Sequence, residues 1–154
     1  MRWGCCEWMV GALLECGVRK TQIDVLSLGA ENSYGRFIVE PVQLQHNVPN
    51  CGYKITYSEF GRLFYATDTN NLDGIEVQGY DLYMVEANYT EEGIMERIRR
   101  KQEDGEHCYE WDVLQNHLSK EKANDWLYHN MGPDSSYVYL HGHEEDDNNA
   151  NKTT

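Results

Sequence analysis

Several short segments of the chain alternate between apolar and polar residues. Residues 42–45 and 53–57 alternate in this way, which is typical of strands with one buried face. Residues 63–66 follow after Gly61, so the pattern predicts a hairpin with a loop of about four or five residues. Pro41 cannot donate a hydrogen bond and therefore indicates a sheet edge or a bulge. Strands are predicted at residues 23–28, 37–45, 53–57, 63–66, 81–85 and 137–140.

Helical patterns occur at the start of the chain and between the later strands. In residues 90–104, Thr90 can cap the first turn, which contains Glu91 and Glu92, and basic residues precede Gly105. Both charge groups complement the helix dipole. Shorter helices are predicted at residues 7–17 and 119–130. The mixture predicts an α/β fold, with a mixed β-sheet and flanking helices.

Composition and charge limit the classes of function. The chain has 154 residues, of which 40% are hydrophobic and 12% aromatic, enough for one folded domain over residues 1–143. The acidic, polar residues 144–154 are predicted to be disordered. The net charge of −13 disfavours DNA binding, because an acidic surface repels phosphates. The longest apolar run, residues 8–14, is far shorter than the roughly 20 residues of a membrane span, so no membrane partner is expected.

Cysteine usage indicates the compartment. The five cysteines cannot all pair, and no Cys-x-x-Cys motif occurs. The start of the chain does not have the pattern of a secretory signal. We therefore expect free thiols and a cytoplasmic location.

Metal-binding side chains fall at the ends of predicted strands. His46, Asp68, Glu86 and His141 each end a strand, and His117 precedes the last predicted helix. Strand ends are where ligands bind in open α/β sheets, and carboxylates with imidazoles favour Zn, Mn or Fe over Ca. Each residue alone also has a simpler interpretation, as a surface histidine or a turn aspartate.

Taken in chain order, these motifs resemble those of the metallo-β-lactamase-fold hydrolases. The resemblance is strongest to the phage and bacterial branch related to ribonuclease Z and the YycJ-type nucleases. It covers about residues 11–143, with gaps. The motifs that carry it are His46 before Gly52-Tyr53, Thr67-Asp68-Thr69, Glu86-Ala87-Asn88, His117-Leu118-Ser119 and His141.

The resemblance implies a partial αββα sandwich and a metal-dependent hydrolase of the phosphodiesterase type. It places His46 and His141 as metal ligands and Asp68 as the residue that bridges two ions of Zn or Mn. It makes Asp68 and His117 the catalytic candidates, with His117 assisting the leaving group or binding phosphate. Glu86 and Asn88 match a recurring strand end of less certain role. The implied substrate is a small phosphodiester or a nucleic acid, and the acidic charge favours the former.

The chain departs from this family in its first half. The defining His-x-His-x-Asp-His motif is absent, because the first histidine is His46. The chain therefore resembles the C-terminal portion of a longer, truncated enzyme with too few ligands for normal activity. His143 is a possible additional ligand, because an H-x-H pair on a strand points to one face.

There are two alternatives to a hydrolase. One is an inactive interaction protein that kept the half-fold, and the other is an α/β domain whose histidines are incidental. If half of the fold is absent, one sheet face has lost its cover, and we expect a homodimer or a missing N-terminal half to bind there. The residues expected on that inner face are Val39, Leu44, Ile55, Phe64 and Val85.

Overall fold

The computed structural model describes residues 1–142, so residue 143 and the predicted disordered tail, residues 144–154, lie outside the described residues. The described part contains eight strands and four α-helices. In chain order they are β1 (Trp3–Cys6), α1 (Val10–Glu15), β2 (Ile23–Leu26), β3 (Asn32–Tyr34), β4 (Phe37–Leu44), β5 (Asn50–Tyr57), β6 (Gly61–Ala66), β7 (Leu82–Glu86), α2 (Glu91–Asp104), α3 (Glu110–Asn116), α4 (Lys120–Asn130) and β8 (Ser136–Leu140).

Six strands form one mixed sheet in the order β3-β4-β5-β6-β7-β8. Strands β3 to β6 pair antiparallel, whereas β6, β7 and β8 pair in parallel. The three helices α2, α3 and α4 connect β7 to β8. This arrangement confirms the predicted α/β class with a mixed sheet and flanking helices. Pro41 lies in the part of β4 beyond Val39, where pairing with β3 ends, so it occupies an edge position.

Three elements have no signal in the hydrophobic pattern. Strands β1 and β3 are four and three residues long and do not alternate. They are extended because they pair, β1 in parallel with β2 and β3 antiparallel with β4. Helix α3 has seven residues and only one fully buried residue, Glu110, so its sequence does not look amphipathic. The loop of the predicted hairpin is residues 58–60, shorter than expected.

The core lies between the sheet and α4. Phe64 on β6 and Tyr83 on β7 are fully buried, and their ring centroids lie 5.2 and 5.9 Å from that of Trp126 on α4. Two of the four helices begin at a side-chain cap, which satisfies a backbone N–H group of the first turn. The Thr90 hydroxyl caps α2, as predicted, and the Ser119 hydroxyl caps α4. None of the helices within residues 1–142 is long and apolar enough to cross a membrane.

The opposite face of the sheet has much less cover. Ile55, Leu63 and Leu82 are paired neighbours on this face, and each is partly exposed. The two-stranded sheet of β1 and β2 contacts the six-stranded sheet at β5, where Cys6 Sγ lies 3.4 Å from Cys51 Sγ. All five cysteines are free thiols.

The predicted set of inner-face residues is partly wrong. Leu44, Phe64 and Val85 are buried in the cluster that packs against α4, whereas Val39 and Ile55 lie on the opposite face. Side chains alternate along each strand, and the strand register decides which of them share a face. The alternation within one strand does not show how that strand is aligned with its neighbours.

Candidate metal centre

Three neighbouring parallel strands bring the candidate ligands together. Asp68 follows the end of β6, Glu86 is the last residue of β7, and His141 follows the end of β8. These strands run in the same direction, so their carboxyl ends meet at one edge of the sheet. His117, between α3 and α4, reaches the same edge. One ligand atom from each of Asp68, Glu86, His117 and His141 lies within 4.8 Å of all the others.

Glu86 is at the centre of this cluster. Its Oε1 lies 2.6 Å from His117 Nδ1 and 3.2 Å from His141 Nδ1, and its Oε2 accepts a hydrogen bond of 2.7 Å from the Thr69 backbone N–H. His141 Nδ1 also lies 3.1 Å from Asp68 Oδ1. Glu86 is fully buried and Asp68 is not, so the two carboxylates have different surroundings.

Burial makes charge unfavourable for several members of the site. It raises the pKa of Glu86 to about 7, an effect that the Thr69 N–H partly offsets. It lowers the pKa values of His117 and His46. Neutral imidazole is the form that binds metal, and a cation beside Glu86 would favour its carboxylate. The donor set therefore fits a divalent transition metal.

His46 adds a second observation in favour of a metal. Its ring centroid lies 5.4 Å from that of His117, and both of its ring nitrogens are buried without a hydrogen-bond partner among residues 1–142. Buried polar groups in native proteins are almost always satisfied, and an exception indicates a ligand or ion. An imidazole nitrogen facing the cluster would be satisfied by a metal.

The backbone is strained at two of the candidate ligands. Asp68 and His141 have φ angles of 54° and 57°, and no other non-glycine residue within residues 1–142 has a positive φ. Such left-handed residues persist where the surroundings hold them, and they cluster at functional sites. Here an asparagine side chain holds each carbonyl. Asn50 Nδ2 donates to the carbonyl of Asp68, and Asn88 Nδ2 donates to that of His141, at 2.8 and 2.9 Å.

The cluster opens into a cleft of about 390 Å³. His46 and Asn47, from the loop between β4 and β5, line the cleft. Residues of and next to α3 also line it, namely Tyr109, Asp112, Val113 and Asn116. The residues predicted from sequence, His46, Asp68, His117 and His141, therefore all line one cleft at one end of the sheet. His143 lies outside the described residues.

Sequence reasoning gave less weight to Glu86 than the geometry does, and it missed Asn50 and α3. In the sequence, only its position at the end of a strand and a motif of uncertain role pointed to Glu86. Asn50 is on β5, 18 residues before Asp68 in the chain, and its contact with Asp68 depends on how β5 pairs with β6. No sequence pattern indicated that contact.

The comparisons with known proteins identify the fold. No protein-family profile matches the chain, and no curated protein matches it in sequence. Solved structures do match. The metallo-β-lactamase fold protein YhfI from Bacillus subtilis has a TM-score of 0.64 and 14% identity, over 90% of this chain and 51% of that one. The chain has the metallo-β-lactamase fold.

Two further matches agree. A new diphosphatase from the PhnP family has a TM-score of 0.62 and 12% identity, over 98% of this chain and 51% of that one. The Zn²⁺-bound PqqB from Methylobacterium extorquens has a TM-score of 0.61 and 11% identity, over 90% of this chain and 53% of that one. The chain thus spans about half the length of these metallo-β-lactamase-fold structures. The fold predicted from the motif order is confirmed, including its partial extent.

Proposed function

We propose that the chain provides the metal-binding C-terminal part of a metal-dependent hydrolase that acts on phosphodiesters. The observation that carries the proposal is the convergence of ligand atoms from Asp68, Glu86, His117 and His141 within 4.8 Å. The unsatisfied nitrogens of His46 beside this cluster support it. The metallo-β-lactamase fold, shared with a diphosphatase and a zinc-bound protein, fits the same chemistry.

In this proposal His46, Asp68 and His141 would hold Zn²⁺ or Mn²⁺, with Asp68 available to a second ion. A bound metal would supply a Lewis acid and lower the pKa of a water molecule. His117 holds a proton for the leaving group. Its Nδ1 is fixed by Glu86 at 2.6 Å, which leaves Nε2 for exchange with substrate. Glu86 acts through His117 and is therefore a positioning residue.

The number of ligands limits what the chain does alone. Catalytic zinc usually keeps three protein ligands, and three residues shared between two ions fall short of that number. The chain spans about half of the structures that it matches. We therefore propose that further ligands come from a partner, either an N-terminal half of the fold or a second copy of the chain.

Metal binding tests this proposal directly. Titration of the metal-free chain with Zn²⁺ or Mn²⁺ should show weak binding of fewer than two equivalents. The Asp68→Ala variant should lose most of it. Asp73→Ala is the matched control, because Asp73 is exposed and does not line the cleft, and it should bind as the wild type does. Two tightly held ions in the Asp68→Ala variant would contradict the proposal.

The alternative is an interaction protein that kept the half-fold without catalysis. The partly exposed sheet face around Ile55 and Leu63 favours it. Hydrolysis of bis(p-nitrophenyl) phosphate by the metal-loaded chain, lost in His117→Ala, would support the enzyme. Metal binding without any turnover would support the interaction protein. For either function the five free thiols favour the reducing cytoplasm.

A further inference from the structure

An aromatic side chain shares the cleft with the metal-binding residues. Tyr109 immediately precedes α3, lines the cleft of about 390 Å³, and is 44% exposed. The volume falls within the roughly 300–1,000 Å³ of small-molecule sites. A flat aromatic surface beside the candidate metal ligands could therefore contact part of a bound substrate.

Contacts on one side fix the position of this ring. Lys101 Nζ on α2 lies 3.9 Å from the centroid of the Tyr109 ring, a cation–π contact. The same ammonium forms an ion pair of 2.7 Å with the buried carboxylate of Glu110. Lys101 is thus held against one face of the ring, while Tyr109 as a whole remains 44% exposed. A ring held in this way is preorganised for stacking, because it loses little freedom when a ligand binds.

The charges around the cleft restrict the ligand further. Its described lining contains the carboxylates of Asp68 and Asp112 and no lysine or arginine. A phosphate group there depends on the metal for its neutralisation. A phosphodiester carries one negative charge, so it meets less repulsion from Asp112 than a phosphomonoester or a polyphosphate does.

We propose that Tyr109 is the base-stacking subsite for a nucleoside phosphodiester, with the phosphate at the cluster around Asp68. The position of the phosphate rests on the proposed function, whereas the stacking of the base on Tyr109 does not. Every nucleobase has a flat face, and stacking on an aromatic side chain does not require a particular base. The subsite therefore selects nucleotide esters over simple alkyl esters without selecting a sequence.

Binding, measured without turnover, tests the subsite. Adenosine and adenosine 3′,5′-cyclic phosphate are titrated into the metal-free and the Mn²⁺-loaded chain by calorimetry, with dimethyl phosphate as the diester that lacks a base. Tyr109→Ala should weaken binding of both adenosine compounds about tenfold and leave dimethyl phosphate unchanged. Tyr109→Phe should retain wild-type binding. Tyr128→Ala is the matched control, because Tyr128 is 84% exposed on α4 and does not line the cleft.

The results separate this inference from the proposed function. Loss of adenosine binding in Tyr109→Ala, with or without metal, supports the subsite even if no metal binds. Equal binding of adenosine by the wild type and by Tyr109→Ala overturns the subsite, as does the absence of any binding by the wild type. Metal-dependent binding of dimethyl phosphate that Asp68→Ala removes would still support the proposed function in that case.

Discussion

At the scale of single residues, the site depends on side chains that hold other side chains in place. Asn88 is buried, and its Nδ2 donates to the carbonyl of His141, whose φ is 57°. Without this bond His141 can relax toward a more favourable backbone conformation and move its imidazole away from Asp68. Groups that orient metal ligands typically contribute 10- to 100-fold to metal affinity.

We therefore expect Asn88→Ala to weaken Zn²⁺ binding by roughly tenfold or more. Asn124→Ala, on α4 and outside the cleft, is the control and should bind zinc as the wild type does. Competition with a chromogenic zinc chelator measures both affinities. Equal affinities for the two variants would mean that His141 needs no support or does not bind the metal.

The pH dependence of stability follows from Glu86. Its pKa is about 7 in the folded chain and about 4.5 when unfolded, so the folded state binds the proton more tightly between these values. Its contribution to stability is present below pH 4.5 and is lost as the pH rises to 7. His46 and His117, with lowered pKa values, act in the opposite direction below pH 6.5.

A comparison with Glu86→Gln isolates the carboxyl group. For the metal-free chain, the free energy of unfolding of the variant minus that of the wild type should rise between pH 4.5 and 7 and be constant above. The total rise should be on the order of 3 kcal/mol, because one pKa unit corresponds to about 1.4 kcal/mol. Urea denaturation at several pH values measures it. Parallel curves would show that Glu86 titrates normally.

The order of the motifs predicted that His46, Asp68, His117 and His141 lie together at one end of the sheet, and in the structure they line one cleft. The support for these residues was not predictable. Asn50 contacts Asp68 only because β5 pairs with β6, and Glu86 meets His117 only after α2 and α3 have folded back. Such contacts depend on register and packing, which a single sequence does not encode locally.

At the scale of elements, α3 is held by a buried charge pair as well as by apolar contacts of Val113 and Leu114 with the cluster around Ile94 on α2. The carboxylate of Glu110 is 1% exposed and pairs with Lys101 Nζ on α2 at 2.7 Å. Burial alone would raise the pKa of Glu110, but the Lys101 ammonium holds it below its usual value. The Cys108 thiol also donates to this carboxylate. The hydrophobic pattern missed α3 because this anchor is polar.

Removing one partner leaves a buried charge without compensation. Lys101→Met should therefore lower the melting temperature by several degrees, and the double variant with Glu110→Gln should recover part of the loss. Thermal unfolding followed by circular dichroism gives all the melting temperatures. If the double variant is less stable than Lys101→Met, the ion pair does not hold α3.

At the scale of the whole molecule, one face of the sheet is well covered and the other is not. Helix α4 covers Phe64 and Tyr83, whereas Phe37 and Val138 on the opposite face are 46% and 47% exposed. A cavity of about 420 Å³ on this face is lined mainly by apolar residues. Sheets pack face to face about 10 Å apart, and exposed contiguous apolar patches in other proteins often mark interaction sites.

The free energy available at this face is large compared with the stability of a small domain. Burial contributes roughly 25 cal/mol per Å², so a few hundred Å² is worth several kcal/mol. Net stabilities are about 5–15 kcal/mol. The net charge of −13 opposes close approach of two copies, but it does not cover the apolar side chains of this face.

We therefore expect the isolated chain to dimerise, to aggregate, or to bind an N-terminal half of the fold. Light scattering at low micromolar concentration should show species larger than a monomer, and the melting temperature should rise with concentration if a dimer forms. Leu63→Lys places a charge on the less covered face of the sheet, which we call the open face and which includes Ile55, Leu63 and Leu82. This change should shift the chain toward a monomer. Tyr128→Lys, an equal change of charge at an exposed position on α4, should not. A wild-type chain that is a monodisperse monomer with a cooperative, concentration-independent melt would show that these residues need no partner, and that the open face is a stable surface.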